Sequence, residues 1–301
     1  MLLRRLLPAV LLALVALLVP VGAVAVWSDV EVEDTGRYVA TMAPLAEDPD
    51  VQKAVATRLT SEIMKQIDLG PLQNGAERLI GEAARSFAGT EPYRKAWNTV
   101  NRVTHDAFRD ALAAERGSGD RVRLDLAPVT AELKQQLKDD GVPFAGRIPV
   151  ARTDLTLVKT DQLDTWRSGY AFLKAAAWWV PVAVALLVAG AVVLSVRGRR
   201  LPALAAAGGA FVLGALLLAL ILAVAHNLAL SSLPEDVSRA AGEAVYSTAT
   251  GGLRTTAWWL GLGGLAVALA AGGTWWVRGR RVNSGTPSDQ WAREDAAAHA
   301  R

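Results

Sequence analysis

The sequence predicts a mainly α membrane protein: four transmembrane helices plus a mostly helical extracytoplasmic domain with two or three short β-strands. Three observations carry that class. Four stretches lack Asp, Glu, Lys and Arg altogether: Arg5 to Asp29, Lys174 to Arg197, Arg200 to Glu235 and Arg254 to Arg278. At a rise of about 1.5 Å per residue, crossing roughly 30 Å of hydrocarbon takes about 20 residues, and each stretch is long enough. Arginine clusters and tryptophan pairs flank these stretches, and the remaining polar sequence shows helical periodicity.

Charge sets the orientation. Arg4 and Arg5 precede the first stretch, Arg197, Arg199 and Arg200 separate the second from the third, and Arg278, Arg280 and Arg281 follow the fourth. With four spans these clusters fall on one side, and short basic loops stay cytoplasmic. Both termini are therefore expected inside, with the protein multi-pass in the cell membrane. All 7 lysines lie in the large segment between the first two spans, but long translocated segments do not obey the charge rule. Trp27, Trp178, Trp179, Trp258 and Trp259 are expected at the outer interface, and Trp275 and Trp276 at the inner one. An amphipathic indole is favoured at both.

The expected organisation is a cytoplasmic N-terminus (1–5), a first span (6–27), an extracytoplasmic domain (28–174) and a second span (175–196). A cytoplasmic turn (197–202), a third span (203–227), an extracytoplasmic loop with a short amphipathic helix (228–254) and a fourth span (255–277) follow. The tail (278–301), rich in Gly, Ser, Pro and Ala, is expected to be disordered and cytoplasmic. Residues 6–27 have a second reading. Met1–Arg5 fits a signal-peptide n-region and Ala23-Val24-Ala25 a cleavage site, although the apolar run from Leu6 to Trp27 exceeds the usual core of about 7–15 residues. The second and fourth spans share a pattern, Ala-Trp-Trp at one end and Val-Arg-Gly-Arg-Arg at the other. A duplicated hairpin is one reading; the other is that two helices of one orientation need the same anchors.

In the outer segment, Asp48-Pro49 is a helix start. Val51, Val55, Leu59, Ile63 and Ile67 recur every four residues and are expected to share a buried face, with Gly70-Pro71 as the stop. A second helix carries Leu72, Ala76, Leu79, Ala83 and Phe87 to Gly89. A third begins near Thr90 and is expected to bury Tyr93, Trp97, Val100, Ala107, Phe108 and Ala111. The alternation of Val122, Leu124 and Leu126 predicts a strand. Pro128 opens a helix with Val129, Leu133 and Leu137, closed by Gly141, and Ile148, Val150, Leu155 and Leu157 supply further strand positions. A last helix from Asp161, with Leu163, Trp166, Tyr170 and Leu173, is expected to run without a break into the second span, through Pro181. In the outer loop, Ala241, Val245 and Tyr246 mark the amphipathic helix. Residues 34–165 are expected to fold as an autonomous domain.

The sequence contains no cysteine, so disulfides, iron–sulfur clusters and lipoprotein acylation are excluded. Residues 28–174 carry 20 basic and 23 acidic side chains, which gives no nucleic-acid signal. Trp97, Asn101, Arg102 and His105 lie on one or adjacent helical faces and form the one candidate polar pocket. The bland alternative places Trp97 in the core and the other three in hydrogen bonds that fix the helix. A zinc site at His105 would need carboxylates alone as further ligands. Asp106 and Asp110, flanked by Arg102 and Arg109, read as a solvated face. His226 and Asn227 read as ordinary interfacial residues. No phosphate loop or nucleophile elbow is present, so no catalytic residue, metal or cofactor is expected. Ala185 and Ala189, Ala210 and Gly214, and Gly264 and Ala268 allow close helix packing. No ionisable residue lies mid-span, where ion and proton pathways would need one.

The outer segment resembles a family of uncharacterised integral membrane proteins of high-GC Gram-positive (actinobacterial) bacteria, with four spans and a large outer domain after the first. The resemblance lies in Arg37-Tyr38-Val39-Ala40, Ala43-Pro44-Leu45-Ala46, Asp48-Pro49 with Val51, Trp97 with Asn101-Arg102 and His105, and Val122-Arg123-Leu124-Asp125-Leu126. It implies the order of spans and no activity. The expected function is non-enzymatic: an anchored outer domain that binds an envelope partner or senses a ligand. The alternative is a transport-associated subunit with a force-transmitting outer domain, an analogy of span order only. The expected partners are the lipid bilayer, an unknown envelope protein or ligand, and further copies of the chain in a homo-oligomer, with no nucleic acid.

Overall fold

A computed structural model describes residues 2–66, 70–113, 123–125, 154–156, 160–195, 200–234 and 237–283, together with Ala131, Lys134, Gln135, Lys138, Asp139 and Gly141. The described chain is α. Its helices are α1 (Leu2–Glu33), α2 (Thr35–Met42), α3 (Pro49–Met64), α4 (Gln73–Ala88), α5 (Glu91–Ala113), α6 (Thr160–Leu194), α7 (Arg200–Ser231), α8 (Arg239–Ala249) and α9 (Gly251–Asn283). Short 3-10 turns occupy Ala43–Glu47 and Gly70–Leu72. One three-residue pairing, Arg123–Asp125 against Asp154–Thr156, is antiparallel with Leu124 opposite Leu155. Ile67, Val122, Leu126, Ile148, Val150, Leu157 and the tail from Ser284 lie outside the described residues, as do Val129, Leu133 and Leu137 of the helix expected after Pro128, of which Ala131, Lys134, Gln135, Lys138 and Asp139 are helical.

Four helices are long and apolar enough to cross a membrane: Leu7–Glu33, Thr165–Leu194, Arg200–Ser231 and Gly251–Trp276. The helices outrun the charge-free stretches because backbone hydrogen bonding does not end where apolarity does. α6 is continuous through Pro181, as expected from a sequence with no break there. By backbone contacts the chain divides into two compact units.

The first unit comprises Met1–Gly22, Trp179–Ala219 and Thr256–Arg301. Its core joins Leu12, Val15, Ala16 and Val19 of α1 to Val184 and Ala191 of α6 and to Ala207 and Ala210 of α7. Small residues set the spacing, since helices in lipid associate by close packing and not by the hydrophobic effect. A Cβ built on Gly208 of α7 would lie 2.4 Å from the Gly264 carbonyl oxygen and 2.6 Å from the Ala268 nitrogen of α9. One on Gly214 would lie 2.7 Å from Val19 Cβ. α7 thus meets α9 and α1 through backbone at two glycines. Of the small pairs singled out from the sequence, Ala210 and Gly214 are buried and Gly264 is at the crossing with Ala268 beside it, while Ala185 and Ala189 are exposed.

The second unit comprises Ala23–Trp178 and Leu220–Thr255. Asp34 caps α2 by accepting from the Arg37 amide, and Asp48 caps α3 by accepting from Asp50 and Val51. Thr90 donates its hydroxyl to the Phe87 carbonyl and accepts from the Tyr93 amide, joining the end of α4 to the start of α5. Met42, Leu45, Val51 and Ala241 form one core cluster, and Ala46, Ala88 and Tyr93 another; Trp97 packs against both. Ala241 belongs to α8. The core therefore draws on the segment between α7 and α9 as well, and residues 34–165 do not contain all of it.

Several expected core positions are exposed. Leu59, Ile63, Leu79, Val100, Phe108 and Trp166 lie at the surface, as do Leu72 and Val245. On α3 the buried residues are Val51, Ala56 and Thr60. A four-residue step advances a helix by about 40° beyond a full turn, so the stripe from Val51 to Ile63 walks off the buried face. Thr60 stays inside by donating its hydroxyl to the Ala56 carbonyl at 2.8 Å. Opposite it Gly81 of α4 leaves room, since a Cβ there would sit 3.7 Å from Thr60 Oγ1.

Candidate functional site

The densest polar arrangement in the second unit lies where α1 ends and α2 begins. Glu31 and Glu33 close α1, Asp34 starts α2, and α2 presents Thr35 and Tyr38. Against them α5 sets Trp97, Asn101 and His105, spaced four residues apart on one face, with Asp106 beside His105.

His105 is buried, 7% exposed, and stacks on Tyr38 with ring centroids 4.2 Å apart. Its Nδ1 lies 3.1 Å from Thr35 Oγ1, and its Nε2 lies 3.1 Å from the carbonyl oxygen of Glu31. Thr35 Oγ1 is 2.6 Å from Asp106 Oδ1, to which it donates. Arg109 pairs with Asp106 at 3.6 Å and with Asp110 at 3.2 Å. Burial pushes the His105 ring below the ordinary histidine pKa. The Glu31 carbonyl and the charges of Asp106 and Glu31 oppose it, and Arg109 reinforces it. Burial likewise pushes the Tyr38 hydroxyl up.

The structure does not gather the four pocket candidates into one cavity. Trp97 donates its indole N–H to the Met42 carbonyl at 3.0 Å, a contact between α5 and α2. Asn101 spends its amide on the Trp97 carbonyl of its own helix at 2.9 Å, and Arg102 is exposed. His105 alone of the four joins the polar network. Asp106 and Asp110 both keep solvent-exposed side chains paired with Arg109, as expected of a solvated face, and Thr35 also reaches Asp106 from a different helix. Thr35 carried no signal in the sequence. Its partners lie 70 and 71 residues away.

α6 approaches the same region. Glu33 accepts hydrogen bonds from Tyr170 and from Lys174, and Arg167 donates to the Ala111 carbonyl of α5 at 3.0 Å. Tyr170 and Lys174 are one helical turn apart, which is what lets one carboxylate take both. His226 meets Tyr246 edge to face at 5.0 Å, and Tyr246 donates to the Leu222 carbonyl, fastening α8 to α7.

Of the residues expected as interface anchors, Trp178, Trp179, Trp258, Trp259, Trp275 and Trp276 are exposed. Trp27 is different. Its indole nitrogen is buried without a hydrogen-bond partner among the described residues, and the ring lies over Gly252. Arg200 is exposed, while Arg197, Arg199 and the side chains of Arg278, Arg280 and Arg281 lie outside what is described. Among the described residues no three His, Asp or Glu side chains are grouped to hold a metal ion.

A comparison of the chain with protein-family models, curated proteins and solved structures finds no match, so no family is identified for it.

Proposed function

We propose that the chain is a non-enzymatic, multi-pass membrane protein whose second unit lies outside the cytoplasm and binds an envelope partner or senses a ligand. One observation carries the binding part of this reading. The helices α3 and α4 and the turn between them leave large aliphatic side chains in the open: Leu59, Ile63, Leu72 at 72% exposure and Leu79 at 73%. All lie outside the four apolar spans, where lipid does not account for them. Clusters of exposed apolar residues on such elements mark interaction sites. The arginine clusters and exposed tryptophans support the orientation, with both termini inside.

The test is purification of the full chain from native membranes beside a Leu72→Glu, Leu79→Glu variant. These positions carry no core packing, so the variant is expected to fold. Wild type is expected to bring down an envelope protein that the variant loses. A co-purifying ATPase would instead favour a transport-associated subunit, and self-association lost in the variant would make the partner a second copy.

A further inference from the structure

We infer that the junction of Glu31, Thr35, His105 and Asp106 is a proton-closed latch, fully bonded only when His105 carries a proton on both ring nitrogens. The inference follows from a count of hydrogens. Three contacts link the four groups: Asp106 to Thr35 at 2.6 Å, Thr35 to His105 Nδ1 at 3.1 Å, and His105 Nε2 to the Glu31 carbonyl at 3.1 Å. Each joins two electronegative atoms and needs one hydrogen between them. The Thr35 hydroxyl supplies one. A neutral imidazole supplies one more. The Glu31 carbonyl and an ionised Asp106 supply none.

A neutral ring therefore leaves one contact with lone pair facing lone pair. If Nε2 donates to Glu31, Thr35 must serve both Nδ1 and Asp106 with a single hydrogen. If Nδ1 donates to Thr35, Nε2 confronts the Glu31 carbonyl with nothing to give. A second ring proton completes the chain from the Glu31 carbonyl through the ring and the hydroxyl to the carboxylate. Arg109 pairs with the Asp106 carboxylate at 3.6 Å, so the added hydrogen belongs to the ring.

The charged and titratable groups facing the ring are Glu31 from α1, Tyr38 from α2, and Asp106 and Arg109 from α5. Glu33 of α1, bonded to Tyr170 and Lys174 of α6, stands behind Arg109. Burial and Arg109 work against a charged ring. The Glu31 carbonyl and the Asp106 and Glu31 charges oppose them. The Thr35 hydroxyl, polarised by the carboxylate it donates to, accepts a charge-assisted bond only from a protonated ring. A neutral ring leaves one acceptor set against another, a cost that works against the burial of the ring. Loss of the second ring proton frees one of these three contacts between the end of α1, the start of α2 and α5.

This names the proton as an input to the sensing unit proposed above and rests on that reading only for its consequence in the cell. The test is ring-nitrogen NMR of the full chain in lipid nanodiscs with labelled histidine. There are 3 histidines, and His105→Gln assigns the signal. Burial sets the wild-type midpoint below the ordinary histidine value, and on the acid side of that midpoint both His105 nitrogens are expected to carry protons. Asp106→Asn, whose amide donates to Thr35 and so supplies the missing hydrogen permanently, is expected to lower the midpoint by about one pH unit. It should also fix the neutral ring as the Nε2–H form. Thr35→Val should lower the midpoint as well. A midpoint that neither variant moves, or one that Thr35→Val raises, would overturn the latch. A failed partner purification would leave this titration standing, and an unmoved titration would leave the partner experiment standing.

Discussion

Gly208→Leu is expected to abolish the packed first unit. The space for a Cβ at this position is already filled by backbone: the Gly264 carbonyl at 2.4 Å and the Ala268 nitrogen at 2.6 Å. Backbone atoms cannot rotate aside as a side-chain tip can, so the two helices must separate. Overpacking typically costs about 1–3 kcal/mol and occasionally more, and a leucine against two peptide groups belongs at the upper end. Separation also forfeits the close contacts that hold helices together in lipid. Gly208→Ala meets the same atoms and should already lower thermal stability in detergent. Gly209→Ala, with nothing within 4 Å of its Cβ position, should change stability by less than about 0.5 kcal/mol. Equal melting of the Gly208→Ala and Gly209→Ala proteins would show that α7 and α9 do not cross there.

Trp97→Ala is the corresponding change in the second unit, with an expected loss of about 3–5 kcal/mol. The indole packs against two core clusters, one of Met42, Leu45, Val51 and Ala241 and one of Ala46, Ala88 and Tyr93. Its removal opens a cavity between α2, α3, α5 and α8 at once. Trp97→Phe keeps most of the ring but leaves the Met42 carbonyl without its side-chain donor, and should cost about 1–3 kcal/mol. Leu79→Ala should be within about 0.5 kcal/mol of wild type, because the side chain is exposed. Protection of α5 amides in hydrogen exchange reads all three. A Trp97→Ala chain as protected as wild type would place the indole outside the core.

These contrasts mark what the sequence made legible. Spans, caps and the continuous α6 were readable because each rests on a local rule: charge-free length, Asp48 before Pro49, the absence of a breaker before Pro181. Val51 was readable as core, but Leu59 and Ile63 were not readable as surface. Their exposure is decided by where α4 lies, and a four-residue stripe looks the same from either side of the drift. Phe108 and Val100 of α5 are exposed as well, although Val100 lies at an angle between the buried Tyr93 and Ala96. In the polar junction, His105 and Asp106 were visible as residues and Thr35 was not. Its contacts cross about 70 residues of sequence, and no periodicity reports a hydrogen bond of that range. α8 was legible as a helix, whereas its share in the core was not, since Ala241 is too small to announce burial.

Sidedness carries the rest of the proposal, and one measurement addresses it directly. The chain has no cysteine, so single cysteines at Ser86 on α4, at Ser247 on α8 and at Ser284 after α9 can be read without interference. With a membrane-impermeant thiol reagent on intact cells, Ser86→Cys and Ser247→Cys are expected to label, and Ser284→Cys only after the cells are opened. Labelling of Ser284→Cys on intact cells with protection of the other two would invert the orientation and contradict an outer binding unit.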